Sequence, residues 1–478
     1  MKNIFKLLVL VLVLASQSLF AQNIQSGLSV LFDTLHARRN FDGCVLVAKD
    51  GKVVFEKAYG LADEENARPL TITSVFELAS VSKQFTALAI MQLKEKGLLD
   101  YSDSIQKFLP DLPYKDVTVR DLLVHSAGIP DFMHWDEREL NFSKINTNAD
   151  ILKKLPTKYP EVTFIPGSQF SYSNTNYLLL ACIVEKLSGL TFADYMEKNV
   201  FQPAGMLDTR VYSRHSAAKK IENYALGYFW DPQQQKFVNM DIVAPYSYYL
   251  DGVAGPYGIS SNVYDLLKWD QALYTNKLIS QDNLKEAFKP SYIKGSDKVL
   301  STPMGINAGF GWEIIPDPSS DKPDMFHSGG YGGYSNLIVR NTGRKETVIL
   351  LSNHKEMVDV FSIMSTIDEI LNSQSPAMPD RVLAKKSVQN TVAQLKEYTG
   401  NYAIAGTSDH RYLVRIKADR LFINLPGQFE VPVYMESADT FLYTEMDAKI
   451  KFGRDQNGKI STLTFLKDGQ QASMVRVD

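Results

Sequence analysis

The chain has 478 residues, enough to bury a large core and to form about two or three folding units. Its 51 basic and 54 acidic residues nearly cancel, and no basic stripe or acidic tail stands out. That balance argues against nucleic acid or a charged membrane surface as a partner and favours a small-molecule or short peptide substrate.

Lys2 and Lys6 precede an apolar run over residues 7–15, and Ala21 stands before Gln22, which reads as a secretory signal peptide over residues 1–21 cleaved near Ala21. The mature protein is therefore expected to be periplasmic or secreted. The run is shorter than the roughly 20 residues a bilayer span needs, and no other segment is apolar enough, so no membrane span is expected in the mature chain. No cysteine follows the run, so lipid attachment is not indicated. Cys44 and Cys182 each lie in an apolar stretch, one strand-like and one helix-like, which favours buried free thiols over a disulfide.

Residues 43–49 and 52–59 flank Asp50-Gly51, a strong hairpin signal. A long apolar segment follows, helix-like to Lys96 with a stop signal at Gly97, and Ser80-Val81-Ser82-Lys83 stands at its head. Residues from 100 to about 240 mix helices with Pro/Gly loops, and Thr118 is placed to cap one of the helices. Residues 309–315 and 337–352 again look strand-like. Two strand regions around a mostly helical middle predict an α/β (α+β) unit over residues 22–372 whose sheet draws on both ends. Residues 373–380 are polar and proline-bearing, a linker. Beyond them, over 381–478, short β runs at 412–416, 421–425, 429–434, 440–444, 449–452, 460–466 and 472–477 recur at barrel-like spacing, with Asn457-Gly458 and Asp468-Gly469 as turns.

Ser-x-x-Lys occurs at six places, the others being Ser104/Lys107, Ser216/Lys219, Ser291/Lys294, Ser319/Lys322 and Ser352/Lys355. Only Ser80/Lys83 lies where a strand pair runs into an apolar helix. Residues three apart share a helix face, so the Lys83 amine reaches the Ser80 hydroxyl, and the first-turn N–H groups favour an oxyanion. A lysine takes the serine proton only when neutral, which means lowering its pKa from about 10.4 to near 7 by burial and by its neighbours. Tyr172-Ser173-Asn174 offers a phenol and an amide at a helix start, although Tyr-x-Asn recurs at Tyr274/Asn276 and Tyr334/Asn336. The stretch from Phe326 to Tyr334, with His327, Gly329 and Gly330, either passes a ligand closely enough to aim an N–H at it or is a structural loop with a surface histidine. No His-Glu-x-x-His or Cys/His cluster, complete Gly-x-Ser-x-Gly elbow or Walker-type loop is present, and no cofactor is called for.

In the order Ser80/Lys83, Tyr172/Asn174, His327/Gly329, the three motifs resemble those of the class C β-lactamase-like serine hydrolases, which include penicillin-binding proteins, D-Ala-D-Ala carboxypeptidases, D-aminopeptidases and esterases. Residues 121–130, 203–209, 252–255 and 265–269 add supporting matches. The resemblance implies a β-lactamase/transpeptidase-like fold, an antiparallel sheet flanked by helices. It implies Ser80 as nucleophile, Lys83 and Tyr172 sharing proton transfer, and Asn174 bonded to the substrate amide or to Lys83. It also implies an oxyanion hole from the N–H groups of Ser80 and Gly330. Where lactamases of this class carry Lys-Thr-Gly, this chain has His327-Ser328-Gly329, which is similar to peptidase and esterase branches and makes β-lactam hydrolysis the less favoured activity. In this family the His125 stretch looks structural. Tyr246, Tyr248 and Tyr249 line the cleft or pack in the core. The region after the linker resembles lipocalin-like β-barrel modules appended to such hydrolases. The rival to an enzyme is a non-catalytic, penicillin-recognising cell-wall sensor.

Overall fold

Asp50 and Gly51 both take positive φ, 48° and 72°, so the turn closes in two residues. β1 (Gly43–Lys49) and β2 (Lys52–Tyr59) form the expected hairpin around it. The computed structural model describes residues 22–477 except 136–139, 303–304, 316–321, 356–358, 375, 380–386, 405–410, 418, 425–429, 445–447 and 468. The expected leader at 1–21 lies outside the described residues, as do parts of the expected linker.

β1 continues into a seven-stranded, wholly antiparallel sheet with β3 (Asn307–Ala308), β4 (Glu313–Ile315), β5 (Asp324–Tyr331), β6 (Tyr334–Asn341) and β7 (Glu346–Ser352), in the order β3-β4-β5-β6-β7-β1-β2. The hairpin near one end of the chain thus pairs through β1 with β7, more than 290 residues later, as the two strand regions of the sequence led us to expect. Strand alternation divides the sheet into two faces. Cys44, Leu46, Ala48, Ile338, Ile349 and Leu351 face the helical middle of the chain. Val45, Val47, Leu337, Val339, Val348 and Leu350 face a second core with the helix over residues 22–37 (α1) and the later helix α5 (Val360–Leu371). α1 buries Ile24, Leu28, Leu31, Phe32 and Leu35, a stripe at helical spacing. Cys44 and Cys182 are free, buried thiols.

Two buried helices carry the site. α2 (Lys83–Glu95) is buried from Lys83 to Leu93 and ends where predicted, because Gly97 takes φ 72° and the Leu98 and Gly97 amides donate to the carbonyls of Leu93 and Lys94. α3 (Asn174–Ser188) packs beside it and stops at Gly189, φ 70°. Ser80 was expected to open the first helix. It lies instead in a 3₁₀ turn, Ala79–Ser82, with Ala79 at φ 52°, and the α-helical ladder begins one turn later at Lys83. Thr118 caps its helix as expected, in a capping box with Asp121. On β6, the fully buried Arg340 pairs with Asp270 of α4 (Val263–Ala272), whose other carboxylate oxygen accepts from Thr347 Oγ1 at 2.7 Å.

The C-terminal strands close into an eight-stranded barrel, β8 (Gly400–Ala403) to β15 (Gln470–Arg476). Seven of them coincide with the short β runs read from sequence. β8 was missed, since its Gly400-Asn401 start carries turn-like residues. The barrel touches the first unit through Arg420, whose guanidinium donates to the buried Asp231 carboxylate at 2.6 Å. Lys417 also lies over the Phe142 ring, which stacks on Tyr249. Among the described residues no single helix is long and apolar enough to cross a membrane.

Candidate active site

Ser80 owes its position to a sharp reversal. A strand pair at Phe76–Glu77 and Ile259–Ser261 leads into Ala79, and the buried Glu77 carboxyl accepts the amides of Ala79 (3.1 Å) and Gly258 (2.9 Å), bracing the turn from below. Burial pushes the Glu77 carboxyl up to about 8, against the pull of those two N–H groups. The Glu77 carbonyl in turn accepts from Asn336 of β6 at 2.9 Å, tying the turn to the sheet.

Lys83 Nζ has three partners: Ser80 Oγ at 3.0 Å, Asn174 Oδ1 at 2.8 Å and the Pro256 carbonyl at 2.9 Å. The last two accept only. The orientation of the Asn174 amide is set by Asp131, which accepts from both its Nδ2 and its backbone N–H at 2.8 Å. Lys83 is completely buried, and this desolvation brings its pKa down to about 7, opposed by the charge of Asp131. In the neutral amine, two N–H bonds satisfy the two carbonyls and the lone pair is left facing the serine hydroxyl.

The Tyr172 hydroxyl donates to Ser80 Oγ at 2.9 Å. Tyr172 is 40% exposed, yet its hydroxyl sits among the packed groups around Ser80, and that crowding raises its pKa well above the usual value despite the serine contact. His125 stacks on the Tyr172 ring (centroids 4.3 Å apart), and its Nδ1 accepts from the Ser173 amide at 3.2 Å. Burial, together with the nearby Lys83 and His327, holds His125 well below its ordinary pKa. It orients the phenol from behind.

The glycine-bearing stretch of His327 is strand β5, not a loop, and His327 is buried, not on the surface. Up to Phe326 the strand is paired on both sides; from His327 on, its outer side meets the turn that carries Ser80. A Cβ on Gly329 would lie 2.3 Å from the Leu78 carbonyl oxygen and 3.3 Å from the Ser80 nitrogen, so only glycine lets the strand approach the serine this closely. The imidazole of His327 bonds the Ser328 carbonyl through Nδ1 at 2.6 Å. Burial and the Lys83 charge bring its pKa to about 3, so it carries no fixed positive charge.

Ser80, Lys83, Tyr172, Asn174, His327 and Gly329 thus converge from three segments of the chain, and Gly330 follows on the same strand. Sequence reading missed Asp131, Glu77 and the Pro256 carbonyl. Asp131 directly follows the supporting stretch 121–130, but nothing in its identity marks it as the anchor of Asn174. Of the three tyrosines left open, Tyr246 is core, packed against Tyr331, while Tyr248 and Tyr249 lie against His215 and Phe142. A cavity of about 750 Å³ lies elsewhere, and its Lys94 and Arg120 are paired with Asp100 and Glu286, so volume does not locate the chemistry.

An antiparallel sheet with a serine–lysine turn at its edge and a tyrosine–asparagine helix start opposite is the architecture of the β-lactamase/transpeptidase-like serine hydrolases. A family model described as Beta-lactamase matches residues 28–366, and the chain belongs to that family. A second, Domain of unknown function (DUF3471), matches residues 384–474, over the barrel. Penicillin-binding protein 4* of Bacillus subtilis is 35% identical over 459 residues, covering 95% of this chain and 99% of the relative. The putative penicillin-binding protein PbpX of the same bacterium is 27% identical over 335 residues, 70% and 76% of the two chains. The octameric penicillin-binding protein homologue from Pyrococcus abyssi shares the fold at TM-score 0.62 and 23% identity, covering 94% of this chain and 99% of that one. A penicillin binding protein from Bacillus halodurans does so at TM-score 0.60 and 25% identity, covering 71% and 98%.

Proposed function

We propose that the protein is a serine hydrolase that forms an acyl-enzyme on Ser80 and cleaves amide or ester bonds of small peptide-like or ester substrates. The observation that carries this reading is the hydrogen-bond arrangement at Lys83 Nζ, in which two acceptor-only carbonyls leave the amine's third direction for the Ser80 hydroxyl. Neutral Lys83 takes the serine proton as Oγ bonds to the substrate carbonyl carbon. The resulting oxyanion is received by the amides of Ser80 and Gly330. Tyr172, protonated throughout, passes the proton from Lys83 to the leaving amine or alcohol as its bond to the acyl carbon breaks. Water then attacks the ester on Ser80 through the same groups in reverse, releasing the acid. With His327 neutral, the position that holds a lysine in lactamases offers no counter-charge to a substrate carboxylate, which favours peptidase or esterase activity over β-lactam hydrolysis. The secretory pattern of residues 1–21 supports a periplasmic or secreted location for this activity.

The Bacillus subtilis relative is named for penicillin binding, which makes a penicillin a suitable probe beside an activated ester. Intact-mass spectrometry of the wild type should reveal an acyl adduct mapping to Ser80 and missing from Ser80→Ala. Tight muropeptide binding with no adduct and no substrate consumed would make the protein a sensor instead.

A further inference from the structure

Glu313 stands where the outer edge of the sheet ends and the cleft begins. It is the residue of β4 paired with Phe326, the last rung before β5 runs free toward Ser80. It lines one cavity with His125, Tyr172, Trp312 and His327. Its carboxylate has no hydrogen bond or ion pair among the described residues, and burial raises its pKa to about 7. Glu313 is half-buried, and an unpartnered carboxylate that has lost part of its water is destabilised unless a ligand supplies the partner.

The other walls supply none. Among the described residues that line this cavity, His125 and His327 are the only ones able to carry positive charge, and both are held neutral by burial. Lys83 directs its donors to Asn174 and Pro256. Among its described residues the cavity therefore presents one negative group and no resident cation, so a substrate carboxylate meets repulsion there and a substrate ammonium gains a partly desolvated ion pair. We propose that Glu313 is a specificity-determining residue that receives an ammonium group of the substrate close to the scissile bond, making amino-bearing amides and esters the preferred substrates. This inference rests on the acyl-enzyme reading of Ser80.

Two matched substrate pairs test it. Alanine para-nitroanilide is compared with its N-acetyl derivative, for an amine on the acyl side. 4-(Aminomethyl)phenyl acetate is compared with 4-methylphenyl acetate, for an amine on the leaving group. In the wild type we expect kcat/KM to favour the amine by at least about tenfold in one pair, the scale of a desolvated charge pair. In Glu313→Gln that ratio should fall to within about threefold of unity, with the melting temperature checked to show that the variant folds. Equal rates within both pairs, or a preference that survives Glu313→Gln, overturns the proposal. So does a preference for carboxylate-bearing analogues, which would point to Lys355, whose Nζ lies 4.0 Å from a Cβ built on Gly330, on the opposite face of β5 from His327. Para-nitrophenyl acetate separates the two readings. Ser80-dependent acylation without amine preference removes the role of Glu313 alone, whereas absence of acylation removes the acyl-enzyme reading and this inference together.

Discussion

Asn174 Oδ1 accepts from Lys83 Nζ at 2.8 Å, and the same side chain is held from behind by Asp131. The asparagine therefore acts as an oriented carbonyl that absorbs one lysine N–H and leaves the amine lone pair for Ser80. In the proposed mechanism, proton transfer depends on that contact.

Lys83 must be neutral to accept the serine proton, and its pKa is about 7 in the folded protein. kcat/KM should accordingly fall as pH drops through about 7. Tyr172, raised well above its usual range, and His327, near 3, remain neutral throughout and set no limb between pH 5 and 9. Lys83→Ala and Tyr172→Phe should each lower turnover by at least about 100-fold, the low end for acid–base groups. A pH–rate profile on an activated ester, repeated for both variants, measures both effects.

Asp131 acts on Lys83 in two ways. Its charge raises the lysine pKa, and its oxygen fixes the Asn174 amide. Asp131→Asn should move the acid limb to lower pH, because the lysine loses a stabilising negative charge. It should also slow acylation by at least about tenfold, because the amide is free to turn its NH₂ toward Lys83. Stopped-flow acylation across pH separates the shift from the loss.

Gly329→Ala places a methyl 2.3 Å from the Leu78 carbonyl oxygen, so β5 or the serine turn must move. A displacement on the order of 1 Å in a catalytic cleft costs about 100-fold in rate, and overpacking costs about 1–3 kcal/mol of stability. The rate of Ser80 acylation and a urea melt on the same variant check both.

Asp270 is buried and pairs with the equally buried Arg340. Asp270→Asn leaves the guanidinium without its counter-charge and should destabilise the protein by about 3–5 kcal/mol. Chemical denaturation reads this directly. An unchanged midpoint would mean that the pair is not buried in solution as it is here.

The sequence by itself determined the periodic features and the local ones. Asp50-Gly51 announces the hairpin, Gly97 the end of α2, and the short β runs after residue 410 the barrel, since each follows from backbone preferences or side-chain alternation within a few residues. The Ser80–Lys83 contact is of the same kind, because three-residue spacing on a helical turn brings the two side chains together. Only the tertiary structure decided the rest. It placed Asp131 behind Asn174, Glu77 beneath the serine turn, the Pro256 carbonyl against Lys83 and Glu313 at the mouth of the cleft. It also revealed the His327 stretch as a strand pressed against the turn that carries Ser80. Most of those relationships join residues tens to hundreds of positions apart, and all depend on burial and hydrogen-bond direction. Neither exists until the two helices and the sheet have packed, and only then does Lys83 lose enough water for its pKa to come down to about 7.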